Sequence, residues 1–192
     1  MNPIIRKSFV FFLGSVCAFA SALPAAEFVK NGGFENNEIA PWRLTKPNPK
    51  VSTTVISDGA PPSGGRGVLA ITPDGEARVD LRQSVKIGPG QYKFSAWMDT
   101  IRCTERGGYL RIDLDGTLNG KWHRFGSLVS SSVFTDKSWR KIAWTKYEAE
   151  VTVPPDGEIR SIYITVARIK GTAMVDAISL QGEETPAPSP EK

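Results

Sequence analysis

The chain has little of what reactive chemistry most often uses. Two of its 192 residues are cysteines, Cys17 and Cys103, and a single histidine, His123, is present. A histidine-rich metal site is excluded, and any intrachain disulfide would have to join Cys17 to Cys103. A Ser-His-Asp arrangement would need His123, but the nucleophile-elbow pattern G-x-S-x-G does not occur. No run of Lys and Arg marks a phosphate-binding stripe, so nucleic acid is not an expected partner. Past residue 22 no apolar stretch reaches the ~20 residues that a membrane-spanning helix needs. No window carries a helical hydrophobic period, and no internal repeat is visible.

What is present begins with an export signal. Arg6 and Lys7 form a positive n-region, Ser8 to Ala20 is apolar, and Ala20-Ser21-Ala22 supplies a small-x-small cleavage site. Val16 stands where a lipoprotein peptidase requires a small residue, so Cys17 is not a lipidation site. Residues 1–26 are read as the signal segment, with the mature chain expected to start near Leu23 or Glu27, giving a secreted protein, extracellular or periplasmic. Losing Arg6 and Lys7 takes the formal charge from +4 to +2, with both signs mixed along the chain. Losing Cys17 leaves Cys103 without an intrachain partner, a half-buried thiol near a strand end or a site of intermolecular pairing. Roughly 165 residues remain, the size of one domain, expected to span residues 27–182. The segment 183–192, with Pro186, Pro188 and Pro190, reads as a disordered tail or tether.

Between these ends the pattern is β throughout. Tyr92, Phe94, Ala96 and Met98 alternate with Lys93, Ser95, Trp97 and Asp99. Leu110, Ile112 and Leu114 alternate with Arg111, Asp113 and Asp115, and Ile162, Ile164 and Val166 with Ser161, Tyr163 and Thr165. Val79, Leu81 and Gln83 alternate with Asp80 and Arg82, and further strands are expected over 51–55, 67–71, 139–153 and 173–180. Gly88-Pro89-Gly90, Pro154-Pro155-Asp156-Gly157 and Lys170-Gly171 are turn chemistry between them. Many short strands with one apolar face each predict an all-β antiparallel sandwich or jelly roll.

On this frame the motifs carry a resemblance. Asn31-Gly32-Gly33-Phe34-Glu35 followed by Pro41-Trp42, Gly67-Val68-Leu69-Ala70-Ile71, Pro89-Gly90-Gln91-Tyr92 through Trp97, Trp139-Arg140-Lys141 and Met174-Val175-Asp176-Ala177-Ile178-Ser179-Leu180 occur in the order found in cenC-type carbohydrate-binding modules. The chain resembles families 4, 9, 16 and 22 of those modules over residues 28–182. The resemblance implies a galactose-binding-like jelly roll with its first and last strands adjacent. Trp42 and Trp139 match scaffold positions, and Trp144 is expected mid-strand. The resemblance also implies a structural calcium near the joined termini, held by Glu35, Asp176 and main-chain oxygens, an oxygen set that suits this ion. Ala177 replaces a second Asp of the family's closing strand.

For function the resemblance implies non-catalytic binding of a polysaccharide or surface glycan. Sugars stack on flat rings and hydrogen-bond to planar polar groups at the edges. Trp97, Tyr163 and Trp122 are the candidate stacking residues; Asp99, Arg111, Asp113 and Arg82 are the candidate hydrogen-bonding ones. Trp97 could instead pack between the sheets, and Arg111 and Asp113 could be a solvated ion pair. The stretch 116–126 reads as a Gly- and Asn-rich loop that either presents Trp122 or tucks it back. Two other readings stand beside glycan binding. The same fold could bind a protein or cell-wall partner as a structural module. A glycosidase would use Asp113 and Asp115, whose carboxyls would lie roughly 6–7 Å apart on one strand face.

Overall fold

A computed structural model of the protein describes residues 25–46, 50–57, 59–62, 65–73, 77–103, 108–131 and 143–184. Residues 1–24 of the expected signal segment 1–26, Trp139 to Lys141, and the chain from Thr185 onward lie outside the described residues, whereas Ala26, expected at the end of that segment, opens the first strand. The described residues form eleven strands and no helix: β1 (Ala26–Glu27), β2 (Arg43–Leu44), β3 (Val51–Ile56), β4 (Val68–Pro73), β5 (Val79–Ile87), β6 (Gly90–Cys103), β7 (Tyr109–Leu118), β8 (Lys121–Ser131), β9 (Thr145–Val153), β10 (Gly157–Ala167) and β11 (Gly171–Glu184). One sheet runs β3-β4-β11-β6-β9 with β1 added on β11, and the other runs β2-β5-β10-β7-β8. Every strand pair is antiparallel. The all-β sandwich expected from the alternation is the observed architecture.

Each sheet has one apolar face, and the two faces cover each other. From the first sheet come Leu69, Ile71, Phe94, Met98, Val151, Val175 and Leu180; from the second come Leu81, Leu110, Ile112, Leu114, Ile162, Ile164 and Val166. These side chains occupy alternate positions of their strands, as the pleat requires, except that β11 changes phase at a register shift between Asp176 and Ser179, which brings both Val175 and Leu180 inward. Gly126 of β8 faces inward, where a Cβ would sit 2.9 Å from Val151, so the two sheets approach closely at that edge. A smaller apolar cluster of Val68, Ala70 and Met174 lies on the outside of the first sheet, with Trp144 packed against it. Trp144 stands just before β9 rather than mid-strand, and its indole N–H donates to the Gly59 carbonyl. Cys103 is buried and its thiol donates to the Thr172 carbonyl at 3.4 Å. Burial, and then the nearby charge of Asp99, push that thiol up to about 12, so it is unreactive at neutral pH.

The first and last strands are neighbours, as expected. Ala26 lies opposite Gly182 and Glu27 opposite Gln181, and the Phe28 N–H donates to the Leu180 carbonyl at 3.0 Å. The last strand continues to Glu184, two residues past the expected boundary, where its carboxylate accepts the Gly88 N–H at 2.9 Å. After β1 the chain crosses to the second sheet. The Lys30 N–H donates to Gln83 Oε1 at 2.8 Å, and Gln83 Nε2 donates back to the Lys30 carbonyl at 2.7 Å. Gly32 must be glycine, because a Cβ there would lie 1.9 Å from the Ile178 carbonyl oxygen. Phe34 and Trp42 then bury their rings beside one another, 6.4 Å between centroids, which fits the scaffold role expected of Trp42.

Phe94 is fully buried between the two sheets. Phe94→Ala is expected to cost about 3–5 kcal/mol through lost transfer energy and the cavity left behind. Urea unfolding should show a lower midpoint with an unchanged slope; an unchanged midpoint would mean the core does not depend on this ring.

Candidate functional site

The outward face of the second sheet is a lattice of polar and aromatic side chains. Cross-strand register sets Arg82, Tyr163, Asp113 and Ser127 in one row over β5, β10, β7 and β8. Asp80, Thr165, Arg111 and Val129 form the next row on one side, and Ser84, Ser161, Asp115 and Arg124 the row on the other. Asp113 is the buried hub, with its side chain only 2% exposed. Its Oδ2 accepts from Arg111 Nε at 2.7 Å, its Oδ1 accepts from Ser127 Oγ at 2.7 Å, and Arg124 Nε stands 3.4 Å from the same oxygen. A buried carboxylate is tolerable only with such partners. Arg124 Nε also donates to Asp115 Oδ1 at 3.2 Å. Burial raises the proton affinity of Asp115, and the Arg124 guanidinium opposes that rise.

Three aromatic rings share this face, each beside a guanidinium. Arg82 lies 5.7 Å from the centre of the Tyr163 ring, Arg111 5.2 Å from Tyr109, and Arg124 5.6 Å from Trp122. Arg82 Nε also donates to Ser161 Oγ at 2.8 Å. Trp122 is 66% exposed, so its ring is presented to solvent rather than tucked back. Flat rings bordered by fixed donors and acceptors suit a ligand with both apolar faces and hydroxyl edges.

Five of the seven expected ligand-binding residues meet here: Arg82, Arg111, Asp113, Tyr163 and Trp122. Trp97 and Asp99 do not. Both lie on β6 in the other sheet, where Trp97 is paired in register with Asp176 and Lys146, and buried Asp99 lies opposite Met174. The single trough expected to contain all seven is therefore divided between opposite sides of the sandwich. Alternation tells which side of its own sheet a residue occupies, but not which sheet it belongs to. The stretch 116–126 is likewise not a loop. It is the β7–β8 hairpin, turned at Asn119 and Gly120 with φ values of 51° and 72°, the left-handed pair of a type I′ turn. Tyr109 was not among the expected residues, although its spacing of two from Arg111 places it on the same pleat face. The two carboxylates suited to a glycosidase, Asp113 and Asp115, both rest against Arg124, and both oxygens of Asp113 are engaged. A general acid needs a carboxyl that holds its proton and can give it away.

Glu35 and Asp176 converge at the other side of the molecule, beside the joined strands. A Cβ on Gly33 would lie 3.7 Å from Glu35 Oε1 and 3.9 Å from Asp176 Oδ1, so the two carboxylates flank one glycine. Glu35 Oε2 accepts the Arg66 N–H at 2.9 Å. Asp176 is fully buried; its Oδ1 accepts the Ala177 N–H at 2.6 Å, while its Oδ2 has no hydrogen-bond partner among the described residues. Burial pushes the Asp176 carboxyl up to about 6, the Ala177 N–H opposes this, and the charge of Glu35 adds to it. An orphaned carboxylate oxygen beside a second carboxylate fits a hard cation. No three His, Cys, Asp or Glu side chains are placed to hold one metal ion among the described residues, so the other oxygens would have to come from backbone carbonyls or water.

No protein-family model and no curated protein matches the chain. Solved structures do. The chain is similar to "Family 16 Carbohydrate Binding Module-2" at 19% identity and a TM-score of 0.58, covering 80% of this chain and 98% of that one. It is similar to TmCBM61 in complex with β-1,4-galactotriose at 20% identity and a TM-score of 0.56, covering 83% of this chain and 100% of that one. The CBM22-1 xylan-binding domain from Paenibacillus barcinonensis Xyn10C matches at 12% identity and a TM-score of 0.52, covering 86% of this chain and 100% of that one. The protein has the carbohydrate-binding-module fold.

The buried carboxyl gives a pH signature in metal-free protein. Asp176 binds its proton more tightly folded than unfolded, where the ordinary value is 3.8. Its contribution is therefore fully present below about pH 4, and is lost as pH rises through about 6. Calorimetry in a chelator should show Asp176→Asn lacking that component of the fall in Tm between pH 4 and 7. Parallel curves for the wild type and the variant would refute it. Separately, Ala177 sits at φ 46°, so Ala177→Gly should relieve up to about 1 kcal/mol of backbone strain and raise the urea midpoint.

Proposed function

We propose that the protein is a secreted, non-catalytic glycan-binding module whose ligand lies across the outward face of the second sheet. The observation that carries this reading is the grouping of Tyr109, Tyr163 and Trp122 on one face, interleaved with the Arg82, Arg111, Asp113 and Arg124 polar network. Tyr163 and Trp122 would take the flat faces of sugar rings, and the guanidinium edges would take hydroxyls. The buried Asp113 carboxylate, both oxygens engaged, would hold Arg111 and Ser127 in place rather than meet the ligand as expected. The carbohydrate ligands named for two of the structural neighbours, galactotriose and xylan, support this assignment of class. Secretion rests on the signal pattern in residues 1–26.

Affinity electrophoresis through gels containing xylan, β-glucan, mannan, galactan or the acidic polymer polygalacturonate tests the reading. At least one polymer should retard the wild type. Tyr163→Ala and Trp122→Ala should each weaken that retardation about tenfold, the scale of an aromatic contact worth roughly 1.5 kcal/mol. If none of the polymers, neutral or acidic, retards the protein, the reading as a structural module for a protein or cell-wall partner replaces it.

We further propose that Glu35 and Asp176 hold calcium, which would supply the missing partner of Asp176 Oδ2 and tie the N-terminal segment to β11. A ligand at about a hundred times its dissociation constant adds roughly 2.7 kcal/mol to stability. In a domain of this size that raises Tm by several degrees, at about 2–4 °C per kcal/mol. EDTA should lower Tm by that amount, and Asp176→Asn should abolish the calcium response while leaving polysaccharide retardation intact. Identical melting curves in EDTA and millimolar calcium would leave Asp176 as an anchor for the Ala177 N–H alone.

A further inference from the structure

The charges on the outward face of the second sheet are not evenly balanced. Asp80 pairs with Arg78, Asp113 with Arg111, Asp115 with Arg124, and Glu158 with Arg160. Arg43 and Arg82 have no carboxylate partner among the described residues, yet they are direct cross-strand neighbours on β2 and β5. Like charges placed opposite one another destabilise a strand pair. Here they border a recess of about 550 Å³ lined by Pro41, Arg43, Leu44, Thr45, Arg82 and Ser84. Arg82 is held in place by neutral groups only, the Ser161 hydroxyl and the Tyr163 ring. Its fork is thus oriented while its charge is uncompensated. Two guanidinium side chains on facing cross-strand positions beside one recess suit the planar oxygens of a carboxylate, or those of a sulfate ester.

We propose that this recess takes an acidic sugar, its carboxylate or sulfate ester lying between Arg43 and Arg82, at the end of the row that continues through Tyr163 to Asp113. The inference rests on the glycan-binding reading and narrows its ligand class to an anionic polysaccharide. The recess adjoins Tyr163 through Arg82, so one sugar unit in the recess leaves the next over the ring. Pro41 and Leu44 give the recess apolar wall beside its charge.

The test uses affinity electrophoresis of the full-length mature protein on polygalacturonate, on the same polymer after carboxyl reduction, on a sulfated galactan, and on neutral xylan. The wild type should be retarded by polygalacturonate or the sulfated galactan more strongly than by the carboxyl-reduced polymer. The two acidic polymers distinguish a carboxylate from a sulfate. Arg43→Gln and Arg82→Gln should each weaken the preferred interaction about ten- to a hundredfold, the range for losing a charge-assisted hydrogen bond. Arg160→Gln removes the same charge elsewhere on the sheet and should change little. Raising the salt concentration should weaken acidic-polymer binding more than neutral-polymer binding. Equal retardation by polygalacturonate, its reduced form and the sulfated galactan, or equal effects of Arg43→Gln and Arg160→Gln, would overturn the acidic-sugar assignment and leave glycan binding standing. No retardation by any of the four would overturn the acidic-sugar assignment, and glycan binding would fall with it only if β-glucan, mannan and galactan also fail to retard the protein. Melting curves of the variants verify that the fold is intact, since Arg43 and Arg82 are both exposed.

Discussion

Two sheets, each apolar on one side, hide both apolar sides only by facing each other, and every other property of this molecule is arranged around that contact. It consumes the inner position of nearly every strand, from Leu69 on β4 to Leu180 on β11. Function is left to the outer faces, the edges and the turns. The two outer faces differ. That of the first sheet carries Lys93, Lys146 and Glu148 on one part and the Val68, Ala70 and Met174 cluster under Trp144 on another. That of the second sheet holds a connected set of arginines, carboxylates and rings.

The N-terminal segment turns two stacked sheets into one unit. It donates to β11 through Phe28, exchanges two hydrogen bonds with Gln83 of β5, and ends as β2 at the edge of the second sheet. Several of its residues have one chemistry that fits. Gly32 leaves room for the Ile178 carbonyl, and Asn31 at φ 49° sends its amide to the Glu38 and Ala40 carbonyls at 2.7 and 2.8 Å. The motif that carries the family resemblance is therefore a description of how the first strand reaches across, and it says little about the ligand.

The parity of each strand was legible in the sequence because burial repeats every second residue. Arg111, Asp113 and Tyr163 were correctly turned outward on that ground, and Trp97 opposite Phe94. The assignment of strands to sheets was not legible. β6 pairs with β11 and β9, while β7 pairs with β10 and β8, and nothing in the alternation of either strand encodes its neighbours. That is why Trp97 and Asp99 were grouped with residues from which they are separated by the thickness of the core. The 116–126 hairpin departs from the expected loop for a different reason. Its glycines looked like loop chemistry, whereas Gly116 is required by the Glu158 carbonyl oxygen, 1.9 Å from where a Cβ would be, and Gly126 by the Val151 side chain. Asn119-Gly120 was the turn signal.

The antiparallel seating of β1 on β11 also sets how the domain responds to force. Ala26 lies beside Gly182 and Glu27 beside Gln181, so chain enters and leaves the sandwich at the same end of one strand pair. A load applied through those two ends pulls the pair apart like a zipper, meeting its bonds singly rather than shearing them together. Each such bond is worth only about 1 kcal/mol net. The Glu27 carboxylate, which accepts the Leu180 N–H at 3.0 Å and a Gln181 side-chain N–H at 3.3 Å, is the clasp such a load would meet just past the Ala26–Gly182 pair. Tethered between two larger bodies, this domain would yield first at its own seam, releasing β1 while the rest of the sandwich stays closed.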